Sequence, residues 1–250
     1  MTDYDRGYAR AIPASHADMA VDAGLRAFML GVFNKVALGL VLSGALAWVT
    51  SSVPAVRDLL FSVTPDGRLA GYTLLGTIVA FAPLVILLGS AFVMRNATPR
   101  SAGMLYWTIV ALIGASLGTV LLRYTGESVA STFFITAAAF GALSLFGYTT
   151  KKNLTGMGSF LLIGLIGIIL ASIVNIFIQS SMLLFVISAL GVLIFAGLTA
   201  YDTQRLKMTY YELGGNQSAL GVATSYGALS LYLNFINLFQ FLLMFLGNRE

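Results

Sequence analysis

Cysteine is absent from this sequence, and histidine occurs once, as His16 in the polar N-terminal segment. Without thiols the chain can form no disulfide framework, zinc finger or thiolate site. The position of His16 also excludes His-ligated haem and an intramembrane Ser–His protease, because no apolar segment contains a histidine. A phosphate-binding Gly-rich loop followed by Lys and Ser/Thr is missing as well. We therefore expect a protein without a cofactor that is not an enzyme.

Charged residues are scarce: 14 basic and 10 acidic residues make up 10% of the 250, whereas 58% are hydrophobic. An ordinary globular domain has about 25% charged residues, so this chain cannot cover a soluble surface of its size. The mean hydropathy of +0.88 agrees. The net charge of +4 comes from basic residues spread among short loops, which indicates membrane topology and not nucleic-acid binding. The composition predicts an integral membrane protein.

Long apolar runs favour an all-α transmembrane bundle over a β-barrel, whose strands alternate about every second residue. Residues 1–27 are polar and predict a mobile cytoplasmic tail, and residues 28–250 predict one transmembrane domain. Pro54, Pro65 and Pro99 are expected in loops. Seven spans are predicted, at roughly 36–53, 72–94, 102–122, 129–150, 158–179, 181–203 and 222–246.

The basic residues of the short loops predict the orientation of the chain. With seven spans, 10 Lys and Arg residues lie on the side of the N-terminus and 4 on the other side. Because cytoplasmic loops carry the excess of basic residues, we expect the N-terminus in the cytoplasm and the C-terminus outside. Short loops favour the inner membrane of a bacterium.

Asp202 is the one acid inside or at the edge of a predicted span, in the last turn of span six. An ionisable group in a membrane is costly and therefore a functional candidate. The alternative is that Asp202 reaches the wet interface, where Arg205, three residues later, neutralises it. The sequence leaves both interpretations open.

One face of span seven is polar, because four of its polar residues are spaced by four, three and three positions. A weaker stripe on span five includes Asn175. Such faces either form hydrogen bonds between helices or line a watery pathway. The pore-lining candidates of span seven are Ser230, Asn234, Asn237 and Gln240.

Two pairs of small residues predict close helix packing. Gly114 and Gly118 form a GxxxG pattern on span three, and Ala137 and Gly141 form a similar pair on span four. Small residues at this spacing let neighbouring helices approach closely.

Four stretches together resemble the Bax inhibitor-1 family, also called the transmembrane Bax-inhibitor-motif proteins. They are STFFITAAAFGALSLFGYTTKKNLTGMGSFL (131–161), ASIVNIF (171–177), IFAGLTAYDTQRLK (194–207) and GALSLYLNFINLF (227–239). GLRAFMLGVFNKVALGL (24–40) fits the family's first half more weakly. The resemblance covers nearly all of the chain after residue 20 and implies a bacterial-type member, a seven-helix bundle with span seven central, and a pH-sensitive calcium leak.

The resemblance also implies a site. In the family pattern, an Asp at the end of span six shares a proton with an Asp in span seven. An Arg at the end of span two can bind the first Asp in place of the second and so act as a latch. Asp202 matches the first Asp and Arg95 the Arg, but Asn234 stands at the position of the second Asp. An amide cannot titrate, so this replacement weakens the implied pH sensor, and Asp202 becomes a weak, transient calcium ligand.

Two functions remain open at this stage. The first is a calcium leak channel that depends on Asp202. The second is a non-conducting regulatory membrane protein that binds a partner such as a membrane-anchored protease. A small-solute transporter is less favoured, because no inverted repeat is visible. Neither main hypothesis involves nucleic acid.

Overall fold

A computed structural model describes residues 14–65, 68–93 and 96–248 of the chain. Arg95, at the end of predicted span two, lies outside these described residues, as do residues 1–13 of the predicted tail. The described part consists of α-helices and one β-hairpin. The elements are α1 (Ala14–Ser52), α2 (Pro54–Leu60), β1 (Phe61–Val63), β2 (Leu69–Tyr72), α3 (Leu74–Val93), α4 (Pro99–Ser116), α5 (Gly118–Leu121), α6 (Gly126–Thr149), α7 (Thr155–Ile178), α8 (Ser181–Glu212) and α9 (Gln217–Leu246).

Six stretches of the described helices are long and apolar enough to cross a membrane. The predicted second span corresponds to α3, whose apolar stretch Leu74–Ser90 is shorter than the other six and contains Pro83. The all-α membrane architecture is thus present, and the count of seven spans stays a prediction. The six are Ala23–Ser52, Pro99–Leu121, Gly126–Thr149, Thr155–Ile178, Ser181–Glu212 and Gln217–Leu246.

Polar residues just before the helices explain where several of them begin. Thr98, Thr125, Ser180 and Asn216 each accept a hydrogen bond from a backbone N–H in the first turn of α4, α6, α8 and α9. These side chains satisfy donors that a helix start leaves unpaired. Gln179 ends α7 in the left-handed conformation, with φ 54°, which permits the tight turn into α8.

The segment between the first two predicted spans contains helix α2 and a β-hairpin that the sequence analysis does not predict. Pro54 stands at the start of α2, and Pro99, in the later connection after α3, stands at the start of α4. Neither lies in a loop as predicted, because proline fits the first helical turn, where no backbone N–H is needed. Strands β1 and β2 pair antiparallel, with Phe61 opposite Tyr72. Phe61 is only 2% exposed, and its burial anchors the hairpin.

Helix α9 packs against α1, α4, α6 and α8. Its Tyr232 is fully buried, and the Tyr232 hydroxyl lies 2.7 Å from Ser43 Oγ of α1. Ser43 Oγ also donates to the carbonyl of Val110 in α4, at 3.2 Å. A Cβ at Gly114 would lie 2.6 Å from Cα of Ser43, so this glycine permits the close contact of α1 with α4 that the GxxxG pattern predicts.

Candidate functional site

Asp202 lies well inside α8, because this helix continues to Glu212 and does not end near residue 203 as predicted. The residues that follow the apolar run are good helix formers, so the helix extends past the end of the hydrophobic segment. An acid in the last turn of a helix is destabilised by the negative end of the helix dipole. Asp202 does not experience this effect, because α8 continues well past it. Asp202 is 6% exposed, which excludes the interpretation that it faces the aqueous interface freely.

Two side chains of α9 hold the Asp202 carboxylate. Ser230 Oγ donates to Asp202 Oδ2 at 2.6 Å, and Asn234 Nδ2 donates to the same oxygen at 2.8 Å. Residues four apart share one face of a helix, so both donors point at α8 together. The predicted contact between Asp202 and the polar face of the last span is therefore present.

Arg205 approaches the other carboxylate oxygen from the same helix. Its Nη1 lies 3.8 Å from Asp202 Oδ1, too far for a hydrogen bond, and its side chain is 55% exposed. The guanidinium also lies 5.9 Å from the centre of the Tyr201 ring. Arg205 is thus a partly solvated counter-charge, and such pairs contribute little to stability.

A cavity of about 630 Å³ adjoins Asp202 and is bounded by α3, α7, α8 and α9. Its wall is mostly leucine, isoleucine and phenylalanine, including Leu84 and Leu87 of α3. Burial of a polar group in such surroundings is costly unless the group is hydrogen-bonded, and two donors bind Asp202 Oδ2. The polar and charged side chains in the wall are Ser172, Tyr201, Asp202, Arg205, Ser230, Asn234 and Asn237.

Of the other predicted pore-lining residues Asn237, Asn175 and Gln240, Asn237 alone lies at this cavity. Asn237 lies in its wall but donates its amide to the carbonyl of Leu233, at 2.8 Å. Asn175 Oδ1 accepts from the backbone N–H of Ser180 at 3.0 Å and so stabilises the α7–α8 turn. Gln240 lines a separate cavity of about 170 Å³ that also contains Arg123.

Gln204 makes polar contacts with the α6–α7 loop, and the sequence analysis did not single this residue out. Its Nε2 donates to the carbonyl of Lys152 at 2.7 Å, and its Oε1 accepts from the backbone N–H of Leu154 at 2.8 Å. The side chain therefore clamps the α6–α7 loop to α8, two residues from Asp202. Gln204 belongs to the YDTQ stretch of the family resemblance, but nothing in that stretch indicates its contact with the loop, in which its side chain is only 9% exposed.

A second polar link joins α1 to α9. Lys35 Nζ donates to Ser225 Oγ at 2.6 Å, and the Tyr106 hydroxyl donates to the Lys35 carbonyl at 2.6 Å. The predicted first span begins at residue 36, directly after Lys35. Neither residue reaches the Asp202 cavity, so this link connects the first and last helices independently of the carboxylate.

Clusters of three or more acidic or histidine side chains that could hold a metal ion are absent from the described residues. Asp202 is a single carboxylate with amide and hydroxyl neighbours. Calcium prefers six to eight oxygen ligands with more than one carboxylate, so the arrangement suits at most a passing contact with the ion.

The family model described as "Inhibitor of apoptosis-promoting Bax1" matches residues 25–250. The chain belongs to this family. The match includes α8, α9 and the YDTQ stretch with Asp202, and the family resemblance of the sequence is thereby confirmed.

Relatives of this Bax inhibitor-1 family member occur in several bacteria. An uncharacterized protein of Caulobacter vibrioides is 72% identical, and the match covers 100% of both chains. An uncharacterized protein of Rickettsia prowazekii is 43% identical over 97% of this chain and 98% of its own. The inner membrane protein YbhL of Escherichia coli strain K12 is 42% identical over 95% of this chain and 98% of its own. The similarity therefore extends through the whole membrane domain.

Proposed function

We propose that this family member is a pH-sensitive calcium leak channel of the bacterial inner membrane, with Asp202 as its central polar group. The observation that carries the proposal is the buried Asp202 carboxylate, which two donors of α9 hold against α8 beside a cavity of about 630 Å³. A buried acid at a helix contact in a membrane is a recurrent element of ion pathways.

Protonation of Asp202 supplies the pH response. Charge-assisted hydrogen bonds are roughly twice as strong as neutral ones, so a neutral carboxyl holds Ser230 and Asn234 less firmly. Acid would therefore loosen α8 from α9 and open the cavity toward water. Since Asn234 is an amide and cannot titrate, Asp202 would act alone in this response.

The proposal includes seven spans, with α3 as the short second span and α9 at the centre. The packing of α9 against four other helices supports the central position. Cytoplasmic placement of the N-terminus follows from the basic loops, and the name of YbhL supports the inner membrane. Arg95 would follow α3 on the cytoplasmic side and could latch Asp202 in a second state.

Calcium flux from proteoliposomes tests this function. Wild type should release trapped calcium faster as the pH falls, and Asp202→Asn should remove the pH dependence because no titrating group remains at the site. Asp58→Asn is the matched control, since Asp58 is an exposed acid outside the cavity. Flux equal to that of empty liposomes at every pH would reject the channel.

A second function, regulation through a bound membrane protein such as a protease, is favoured by a different observation. The cavity beside Asp202 is mostly apolar, and both donors saturate Oδ2, so the described residues offer few oxygens for a conducted cation. Crosslinking in native membranes followed by co-purification tests this alternative. A specific partner together with absent calcium flux would select it.

A further inference from the structure

A groove of about 490 Å³ runs between α1 and α6, away from the Asp202 cavity. Arg26 and Tyr148 lie at one end, and Phe33 and Phe140 line the remainder. The candidate span of α1 begins at Ala23 and α6 ends at Thr149, so the end with Arg26 is at the membrane surface. The aromatic end therefore extends into the hydrocarbon layer.

Gly141 creates the depth of this groove. A Cβ at Gly141 would meet no atom within 4 Å, so this glycine does not serve helix approach as its spacing from Ala137 predicts. Gly147 of the same helix behaves differently, because a Cβ there would collide with the Ala200 carbonyl of α8. Gly141 thus leaves open space on the membrane side of α6 that a larger side chain would fill.

Ser144 places an unsatisfied hydroxyl in the same groove. Its Oγ has no hydrogen-bond partner among the described residues, and the residue is only 4% exposed. Thr136 and Thr149 of α6 instead donate to backbone carbonyls four residues earlier. A buried hydroxyl without a partner is unfavourable, which points to an acceptor supplied from outside the chain.

The charge at the surface end favours an anion. Arg26 is exposed there, and Lys207 Nζ donates to the Tyr148 carbonyl at 3.2 Å, beside the Tyr148 ring. Basic pockets between spans at the membrane surface bind anionic headgroups. Along the groove, the apolar depth suits an acyl chain, the Ser144 hydroxyl suits a glycerol ester, and Arg26 at the surface end suits a phosphate.

We infer that the α1–α6 groove binds one anionic glycerophospholipid of the surrounding bilayer. An acyl chain lies over Gly141 between Phe33 and Phe140, Ser144 donates to an ester carbonyl, and Arg26 contacts the phosphate. The size of the groove lies in the range of small-molecule sites. The lipid site is independent of the calcium-leak function, and its absence would leave that proposal unchanged.

Lipid retention by the full chain tests the inference. The protein is purified in mild detergent, incubated with equal amounts of phosphatidylglycerol and phosphatidylcholine, and measured by native mass spectrometry. Wild type should retain phosphatidylglycerol preferentially. Gly141→Leu should abolish retention by filling the groove, and Arg26→Gln should reduce the preference for phosphatidylglycerol about fivefold, the loss expected for one interfacial cation.

Two variants control for surface changes. Gly167→Leu adds the same side chain at an exposed glycine of α7 that also has open space, and Arg100→Gln removes an exposed arginine at the start of α4. Both should retain lipid as wild type does. Unchanged retention by Gly141→Leu, or equal binding of both lipids by wild type, would overturn the inference. Dissociation of a dimer by Gly141→Leu, without loss of lipid, would assign the groove to a second copy instead.

Discussion

Asn234 of α9 donates its side-chain amide to Asp202 of α8 across 2.8 Å, and Ser230 donates to the same oxygen. In this arrangement one ionisable side chain and two fixed donors join two helices of the bundle. The carboxylate is the acceptor of the contact, so its removal and its protonation have different consequences. Removal leaves both donors without a partner, whereas protonation only weakens their bonds.

Asp202→Ala should lower the free energy of unfolding by about 1–3 kcal/mol, because Ser230 and Asn234 then remain buried without an acceptor. Chemical unfolding in detergent micelles, followed by circular dichroism, measures this change. Asp58→Ala removes an acid whose side chain is 61% exposed and should stay within about 0.5 kcal/mol of wild type. Equal stability of the two variants would mean that the carboxylate does not hold α8 to α9.

The orientation of the chain is open to a direct experiment. A reporter at the N-terminus should read as cytoplasmic and one fused after Glu250 as external, because seven spans place 10 basic residues on the first side and 4 on the second. Reporter fusions that are active on only one side of the membrane measure both ends. Both ends on one side would mean an even number of spans, so that span seven or another predicted span, such as the short α3, does not cross.

The family resemblance implied the contact of Asp202 with Asn234, because it pairs these two positions. The residues alone left Asp202 open between a functional site and the wet interface, and the spacing of four placed Ser230 on the same helix face as Asn234. Gln240 and Asn175 have similar spacing but different positions, because Gln240 faces another cavity and Asn175 binds the turn after its own helix. The spacing of polar residues identifies one face of a helix, but it does not predict which neighbouring element each residue on that face contacts.

Helix ends and loop contacts were less predictable. The sequence placed the end of span six where its apolar run stops, yet α8 continues to Glu212, because helix-forming residues extend the helix beyond that run. The extension gives Gln204 its position under the α6–α7 loop, and no pattern in the sequence specifies that long-range contact. The β-hairpin was missed because strands of three and four residues give too short a pattern.

Gln204→Ala should free the α6–α7 loop, because the Leu154 backbone N–H and the Lys152 carbonyl both lose their partner. Hydrogen exchange at Leu154 should become faster, and stability should fall by about 1–3 kcal/mol. Gln217→Ala is the matched control, since Gln217 is exposed at the start of α9. Protection of Leu154 that is equal in both variants would show that the clamp is not formed in the membrane.

Asn234→Asp should move the pH response of the protein toward neutral. The new carboxylate would stand where an amide now donates to Asp202 at 2.8 Å, and two carboxylates at that distance cannot both ionise cheaply. The pair therefore holds one proton to higher pH than Asp202 alone, and the contact is made or lost as that proton binds or leaves.

Calcium flux in liposomes and intrinsic tryptophan fluorescence, each followed against pH, measure the shift. The midpoint should rise by at least about one pH unit in Asn234→Asp, which corresponds to about 1.4 kcal/mol of interaction between the two groups. Asn234→Gln retains an amide and adds no titrating group, so its midpoint should stay with wild type. If Asn234→Asp follows the wild-type curve across the whole pH range, positions 202 and 234 are not coupled. Asp202 would then act without its neighbour on α9.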